Sequence, residues 1–194
     1  MTTGDDAAER LVDAAWSVLE RTGFDGFKVA SVIRAAGLST KTFYRHFESK
    51  DALLLALLLD EMARAAAGLR ARVAAAPSNA EAVRVWVAGV MRAATRPDLR
   101  RRARLFSSLG DVAERFPDEV VAGRRALLDP LVDVLARGRE AGEFPLADPE
   151  PDAVAIYQLS GGMLRELLDG TAPTDAGTSI AQAQAFALRA VGAR

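Results

Sequence analysis

Residues 22–53 read TGFDGFKVASVIRAAGLSTKTFYRHFESKDAL, and the fold is decided in this stretch. Val29, Val32 and Ile33 recur at i, i+3 and i+4, which lines one face of a helix with apolar side chains. Ala36-Gly37 follows, and Gly37 can take the positive φ that stops a helix and turns the chain. Leu38 is apolar and suits the space between two helices. Ser39 is a good N-cap for a second helix that continues through Thr40, Lys41, Thr42, Phe43, Tyr44, Arg45, His46 and Phe47. Phe43 and Phe47 are four apart and face inward together, leaving Thr40, Lys41, Tyr44, Arg45 and His46 to face outward. Two short helices joined by a glycine turn, the second polar and cationic, make a helix-turn-helix. Such a motif sets one helix into the DNA major groove.

The outward side chains suit that task. Hydroxyls, an imidazole and cations match phosphate oxygens and base edges. Tyr44, Lys50, Lys28 and Thr42 are the candidates for phosphate. Thr40, Lys41 and Arg45 are the candidates for base edges, and His46 can serve either role. Ser49 caps the next helix, whose first turn carries Lys50. A lysine there opposes the helix dipole, so an external anion such as phosphate explains it better. Residues 21–50 hold six Lys/Arg and two acids, a net of +4 in a chain of net −1, so the remainder carries −5. This is the charge pattern of a basic reading head on an acidic body. A solvated helical hairpin with ordinary surface charge is the bland alternative.

Composition narrows the rest. A chain of 194 residues can hold one small domain and one medium one, or a single larger one. Half the residues are apolar, which is enough for a sizeable core. Few are aromatic, and abundant alanine, leucine and arginine favour helix. The absence of cysteine rules out disulfides and thiolate metal sites and gives no sign of an oxidising compartment, so a cytoplasmic location is expected. The single histidine, His46, lies on the outward helix, so neither a Ser-His-Asp arrangement nor a multi-histidine metal site can be built elsewhere. With no recognisable carboxylate pair or phosphate loop, an enzyme is disfavoured, and no catalytic residue, metal or cofactor is expected. The N-terminal MTTGDDAAER is acidic and lacks the apolar core of a signal peptide. The apolar run Ala52–Leu59 has eight residues, far short of the roughly 20 that span a membrane, so no membrane partner is expected.

Organisation is helical throughout. A first helix is expected over 5–22, with Leu11, Ala15, Val18 and Leu19 as its inward stripe. The two helices of the motif come next, and a fourth runs from about 50 to 75, long enough to leave the head. Ser78-Asn79-Ala80-Glu81 is a capping box that starts a helix over 79–95. Pro97 opens one to about 109, and Pro117-Asp118-Glu119 opens another that reaches 141 before Gly142. Two last helices fall at 151–169 and about 177–192. No strand pattern or repeat is visible. The expectation is an all-α chain of about nine helices. A three-helix helix-turn-helix DNA-binding domain at 1–50 precedes a helical effector-binding and dimerisation domain at 51–194.

The head resembles the N-terminal domain of the TetR/AcrR family of bacterial transcriptional regulators. The matching elements are Gly23-Phe24, Ala35-Ala36-Gly37-Leu38-Ser39, Thr42-Phe43-Tyr44-Arg45-His46-Phe47 and Ser49-Lys50-Asp51-Ala52-Leu53, in order and without a gap. The specific match covers about 8–55, and beyond it only length and helical character are similar. One departure stands out. The family usually places a Thr or Ser pair before the second helix, where this chain has Phe27-Lys28. Lys28 can still reach a phosphate as a cation, but a hydroxyl cap worth about 1 kcal/mol is missing. The resemblance implies DNA contacts from Lys28, Ser39, Thr40, Lys41, Thr42, Tyr44, Arg45, His46 and Lys50 to a palindromic operator.

The resemblance also implies a small-molecule pocket in the body, with Met62, Trp86, Val90, Met91, Phe106, Leu109, Leu127, Leu131 and Tyr157 as candidates. Plain hydrophobic core is the competing reading for each of them. Such a lining implies an apolar or amphipathic effector. The last two helices are implied to meet their symmetry mates in a homodimer, through Ile156, Ser160, Met163, Leu164, Leu167, Ile180, Ala187, Leu188 and Val191. The basic run Arg96, Arg100, Arg101, Arg102 and Arg104 is expected to be a solvated face. The expected function is that of a ligand-responsive repressor released from its operator by effector. The alternative is a helical protein-interaction module with a degenerate DNA-binding head, supported only by Phe27-Lys28.

Overall fold

The computed structural model describes residues 3–107 and 110–193, without the side chains at 3–5, 98, 106–107 and 110–111. Every regular element among them is helical: α1 (Thr3–Thr22), α2 (Val29–Ala36), α3 (Thr40–His46), α4 (Lys50–Ala74), α5 (Asn79–Val90), α6 (Pro97–Ser107), α7 (Gly110–Arg115), α8 (Pro117–Glu140), α9 (Pro149–Asp169) and α10 (Ala176–Ala190). A 3-10 turn, Met91–Ala94, follows α5.

The chain divides into two compact units, Met1–Glu61 with Arg101–Val120, and Met62–Arg100 with Val121–Arg194. The first unit gathers around α1. Leu11, Ala15, Val18 and Leu19 are fully buried there, as their spacing predicts, and Trp16 is buried beside them. Val32, Phe43, Phe47, Leu53 and Leu57 complete its centre. Motif boundaries place the head at 1–50, whereas packing also gives this unit the first turns of α4 and the stretch 101–120. The second unit gathers around α5, which packs against α9 and α10; Val83, Trp86 and Val87 of α5 are buried, as are Leu131, Val134 and Leu135 of α8. In α8 there is no room for a Cβ at Gly138, because the buried Phe144 ring lies against the backbone there.

The helix count and several ends differ from the sequence reading. There are ten α-helices among the described residues, not nine. The addition is α7, six residues long and so under two turns, too short to carry a helical period. The expected helix over 79–95 ends its α-helical part at Val90, and its last turn tightens to 3-10, a common way to satisfy terminal carbonyls. The expected end of α6 near 109 lies outside the described residues, which stop at Ser107. The remaining ends shift by one or two residues, the usual fraying of helix termini.

Candidate nucleic-acid interface

The head is built by local chemistry. Gly37 sits at φ 65°, and the amides of Gly37 and Leu38 close the end of α2 on the Arg34 and Ile33 carbonyls. Arg10 Nη2, on α1, donates to the Ala36 carbonyl at 2.7 Å and so ties the end of α2 to the unit's central helix. Ser39 Oγ accepts from the Thr42 amide at 3.0 Å and shares a 2.9 Å hydrogen bond with Thr42 Oγ1. Both hydroxyls therefore serve the helix start. Ser49 Oγ accepts from the Ala52 amide at 3.0 Å and starts α4 in the same way.

These caps fix which face of α3 meets solvent. Phe43 and Phe47 are buried and their rings pack 5.9 Å apart between centroids. Thr40, Lys41, Tyr44 and Arg45 are exposed, an i, i+1, i+4, i+5 set along one face. Thr42 and His46 are half-buried at its margin. Tyr44 is 60% exposed, unusual for so large a ring, and stands edge-on to Phe43 at 5.2 Å. A projecting aromatic among cations suits a backbone-lined groove better than open water.

The Phe27-Lys28 departure acquires a physical account. Lys28 is the N-cap of α2 and makes no side-chain cap, and no acid follows in the first turn. Phe27 is buried, and Lys50 Nζ lies 5.5 Å from its ring centroid. Lys50 thus has an aromatic face as a partner within the chain, which spacing alone does not reveal, while its side remains exposed.

Residues 11–57 match the family model described as bacterial regulatory proteins, tetR family. The head is thus similar to the N-terminal head of TetR-family regulators. The HTH-type transcriptional regulator UidR of Escherichia coli K12 is 30% identical over 69 residues, which is 36% of this chain and 35% of that protein. The matched stretch thus spans about a third of the curated relative. Two solved structures extend the likeness in fold alone. FadR from Bacillus subtilis, in complex with stearoyl-CoA, has a TM-score of 0.72 at 15% identity, over 94% of this chain and 98% of that one. A TetR transcription regulator from Haloarcula marismortui has a TM-score of 0.75 at 18% identity, over 94% and 97%. The relatives named here are regulators rather than enzymes.

In the second unit, the described pocket candidates are closely packed. Trp86, Met91 and Leu131 are fully buried, Met62 and Leu127 nearly so, and Val90 and Tyr157 partly so. Trp86 Nε1 donates to the Leu127 carbonyl at 3.1 Å, and its ring meets Tyr157 edge-on at 6.4 Å. Pro130, inside α8, has no amide to donate to the Ala126 carbonyl one turn earlier. Leu109 and the Phe106 side chain lie outside the described residues. Two open clefts lie away from this cluster. One of about 430 Å³ is lined by Val73, Pro77, Asn79, Arg137 and Glu143 among others, and one of about 420 Å³ by Arg10, Asp13, Ser17 and Ala35 among others.

On α9 and α10 the interface candidates divide. Ile156, Ser160, Ala187 and Val191 are buried within the chain itself, so they pack its own core. Met163, Leu164, Leu167, Ile180 and Leu188 keep partial exposure. Sequence reasoning missed Val154 and Phe186, which are 38% and 50% exposed. It also misplaced part of the basic run. Arg100 Nη2 donates to the Ala94 carbonyl at 2.9 Å, and Arg102 stacks on Trp16, so neither stands on a solvated face.

Proposed function

We propose that the protein is a dimeric, effector-responsive DNA-binding regulator that acts as a repressor. The exposed cationic face of α3, held out by the Gly37 turn and the Ser39 cap, carries this reading. Thr40, Lys41 and Arg45 read base edges, Tyr44, Thr42, Lys28 and Lys50 hold phosphates, and His46 serves either. Ser39 shapes the approach through its cap. One head of this size makes few contacts, and two-fold pairing doubles them on a palindromic site with half-sites ~34–36 Å apart. The domain at 1–50 reads DNA, and that at 51–194 binds effector and dimerises.

The dimer runs through α9 and α10. Gly161 and Gly162 sit inside α9, and a Cβ added at either meets nothing within 4 Å. A glycine inside a helix costs about 1 kcal/mol against alanine. Nothing among the described residues accounts for the pair, whereas close approach by a second copy does, and α9 and α10 also expose Val154 and Phe186. Gly162→Ala should raise the melting temperature of the isolated chain and weaken the dimer in sedimentation equilibrium. A dimer left as tight as before would move the interface elsewhere.

The effector is apolar or amphipathic. The FadR neighbour was solved with stearoyl-CoA, an amphipathic ligand of that kind. Buried Trp86, Met91 and Leu131 offer it apolar walls, and the Trp86–Leu127 hydrogen bond has to open to admit it. Binding shifts the population of head spacings away from the one that fits successive major grooves, and α4, continuous from head to body, is the lever.

Selection from a random-sequence DNA pool, followed by titration against competitor at physiological salt, tests the reading. Enrichment of a palindrome bound with nanomolar, competitor-resistant affinity is the expected result. Binding that is equal for all sequences would favour an interaction module with a degenerate head.

A further inference from the structure

Ser160 on α9 and Ser179 on α10 are buried, and their hydroxyls fare differently. Ser179 Oγ shares a 2.8 Å hydrogen bond with Thr174 Oγ1. Ser160 is fully buried, and its Oγ has no hydrogen-bond partner among the described residues. A serine inside a helix commonly donates to the carbonyl four residues earlier, here that of Ile156, and Ser160 does not. Alanine would suit the helix better and bury no polar atom. A hydroxyl taken out of water and left unpaired is destabilising, so the fold alone gives no reason for it.

The surroundings say what could pair with it. Ser160 continues the buried stripe of Ala153 and Ile156 on α9. It follows Tyr157 by three residues, so the two lie on one side of the helix. Tyr157 meets the Trp86 ring of α5 edge-on, and α9 packs against α5 and against the 3-10 turn that carries Met91. All of these residues belong to the second unit. Trp86 and Met91 are as fully buried as Ser160, whereas Tyr157 is half-buried. The Trp86 N–H is already engaged by the Leu127 carbonyl. No Asp, Glu, Lys or Arg is buried among the described residues, so a charged group drawn to this depth would have no counter-ion. A neutral oxygen needs only the one hydroxyl.

We propose that Ser160 is a specificity-determining residue of the effector site, the polar anchor that selects a neutral, oxygen-bearing apolar molecule such as a ketone, ester or alcohol. The inference rests on the effector-binding reading above and names the effector's chemical class. Tyr157 turns away from Trp86 to admit the molecule, Trp86 and Met91 line its apolar part, and the Ser160 hydroxyl takes up its oxygen. A few placed polar groups in an apolar site fix a ligand's orientation. Such a site also rejects an analogue without the oxygen, because its own polar atom is then left unpaired.

Four eight-carbon probes test this on the full chain: 2-octanone, 1-octanol, n-octane and octanoate. Affinities are read by tryptophan fluorescence titration, and the melting temperature of the ligand-free protein is the second readout. The wild type should bind the ketone and the alcohol more tightly than octane or octanoate. Ser160→Ala should weaken the ketone and the alcohol about threefold to tenfold, the worth of one neutral hydrogen bond. It should leave octane within about twofold and melt no lower than the wild type without ligand. Ser160→Cys, with a weaker donor, should fall between, and it carries the same readouts if Ser160→Ala does not fold. An unchanged preference in Ser160→Ala, whatever its melting temperature, would overturn the anchor. Octane bound by the wild type as tightly as the ketone would do the same and leave the apolar-effector reading standing. Octanoate bound as tightly as the ketone would overturn the neutral class. A wild type that binds none of the four would overturn the apolar-effector reading, and the anchor with it.

Discussion

The head and the body use the same material, amphipathic helices with capped ends, yet they disclose function unequally. In the head, the residues that carry the proposed function are the ones that packing leaves out. Phe43 and Phe47 take the interior of α3, and Thr40, Lys41, Tyr44 and Arg45 remain outside. In the body, pocket candidates and core are the same residues. Trp86, Met91 and Leu131 stabilise the fold by being buried, and any effector would have to displace what they touch. A polar exposed face has no structural reason to be uniform, so its composition points to a partner. An apolar buried face always has a structural reason.

The sharpest way to break this contrast is to cut both regions. Leu131 is fully buried in the body, and Leu131→Ala should cost about 2–5 kcal/mol of stability, read by chemical denaturation. If a pocket already borders Leu131, the loss will sit at the low end and effector affinity will change with it. Lys41→Ala in the head should leave stability within about 0.5 kcal/mol, since the side chain is exposed. It should nonetheless cost about 1–3 kcal/mol on the selected operator, with random DNA barely affected. Equal losses on operator and random DNA would move Lys41 to the phosphate set.

Lys50→Ala sharpens the division within the head. It should weaken all sequences alike and reduce the salt slope by about one per head. Because Lys50 also stands over the Phe27 ring, a small drop in melting temperature should accompany it. The smallest effect concerns the cap of α10. The Thr178 hydroxyl, then the Thr178 and Gly177 amides, hold the Asp175 carboxyl below the ordinary carboxylate range. A lowered folded pKa means that this stabilisation is present above the unfolded value of about 3.9 and is lost as pH falls through the folded value. Asp175→Asn should therefore lower the melting temperature slightly near neutrality and leave it closer to wild type in strong acid.

Much of the head was legible because its code is local. A glycine at the turn, serines at two helix starts and phenylalanines four apart each act within one or two turns of chain, and each is found doing so. The body was legible as helices but not as a site. Spacing marks Ile156, Ser160, Ala187 and Val191 as apolar or small positions on α9 and α10, yet cannot say whether they face their own core or another molecule. A six-residue helix such as α7 gives no period to read.

From its sequence alone the protein is determined to be helical, with an exposed cationic face on a capped, glycine-turned head, because caps, turns and the 3.6-residue period are set by neighbours in the chain. Only the tertiary structure decides that Lys50 stands over Phe27, that Trp86 is bonded to the Leu127 carbonyl, and that Arg102 leaves its charge run to lie on Trp16. Those partners are 23, 41 and 86 residues apart, and no spacing rule reaches across separate helices whose packing must first bring them together.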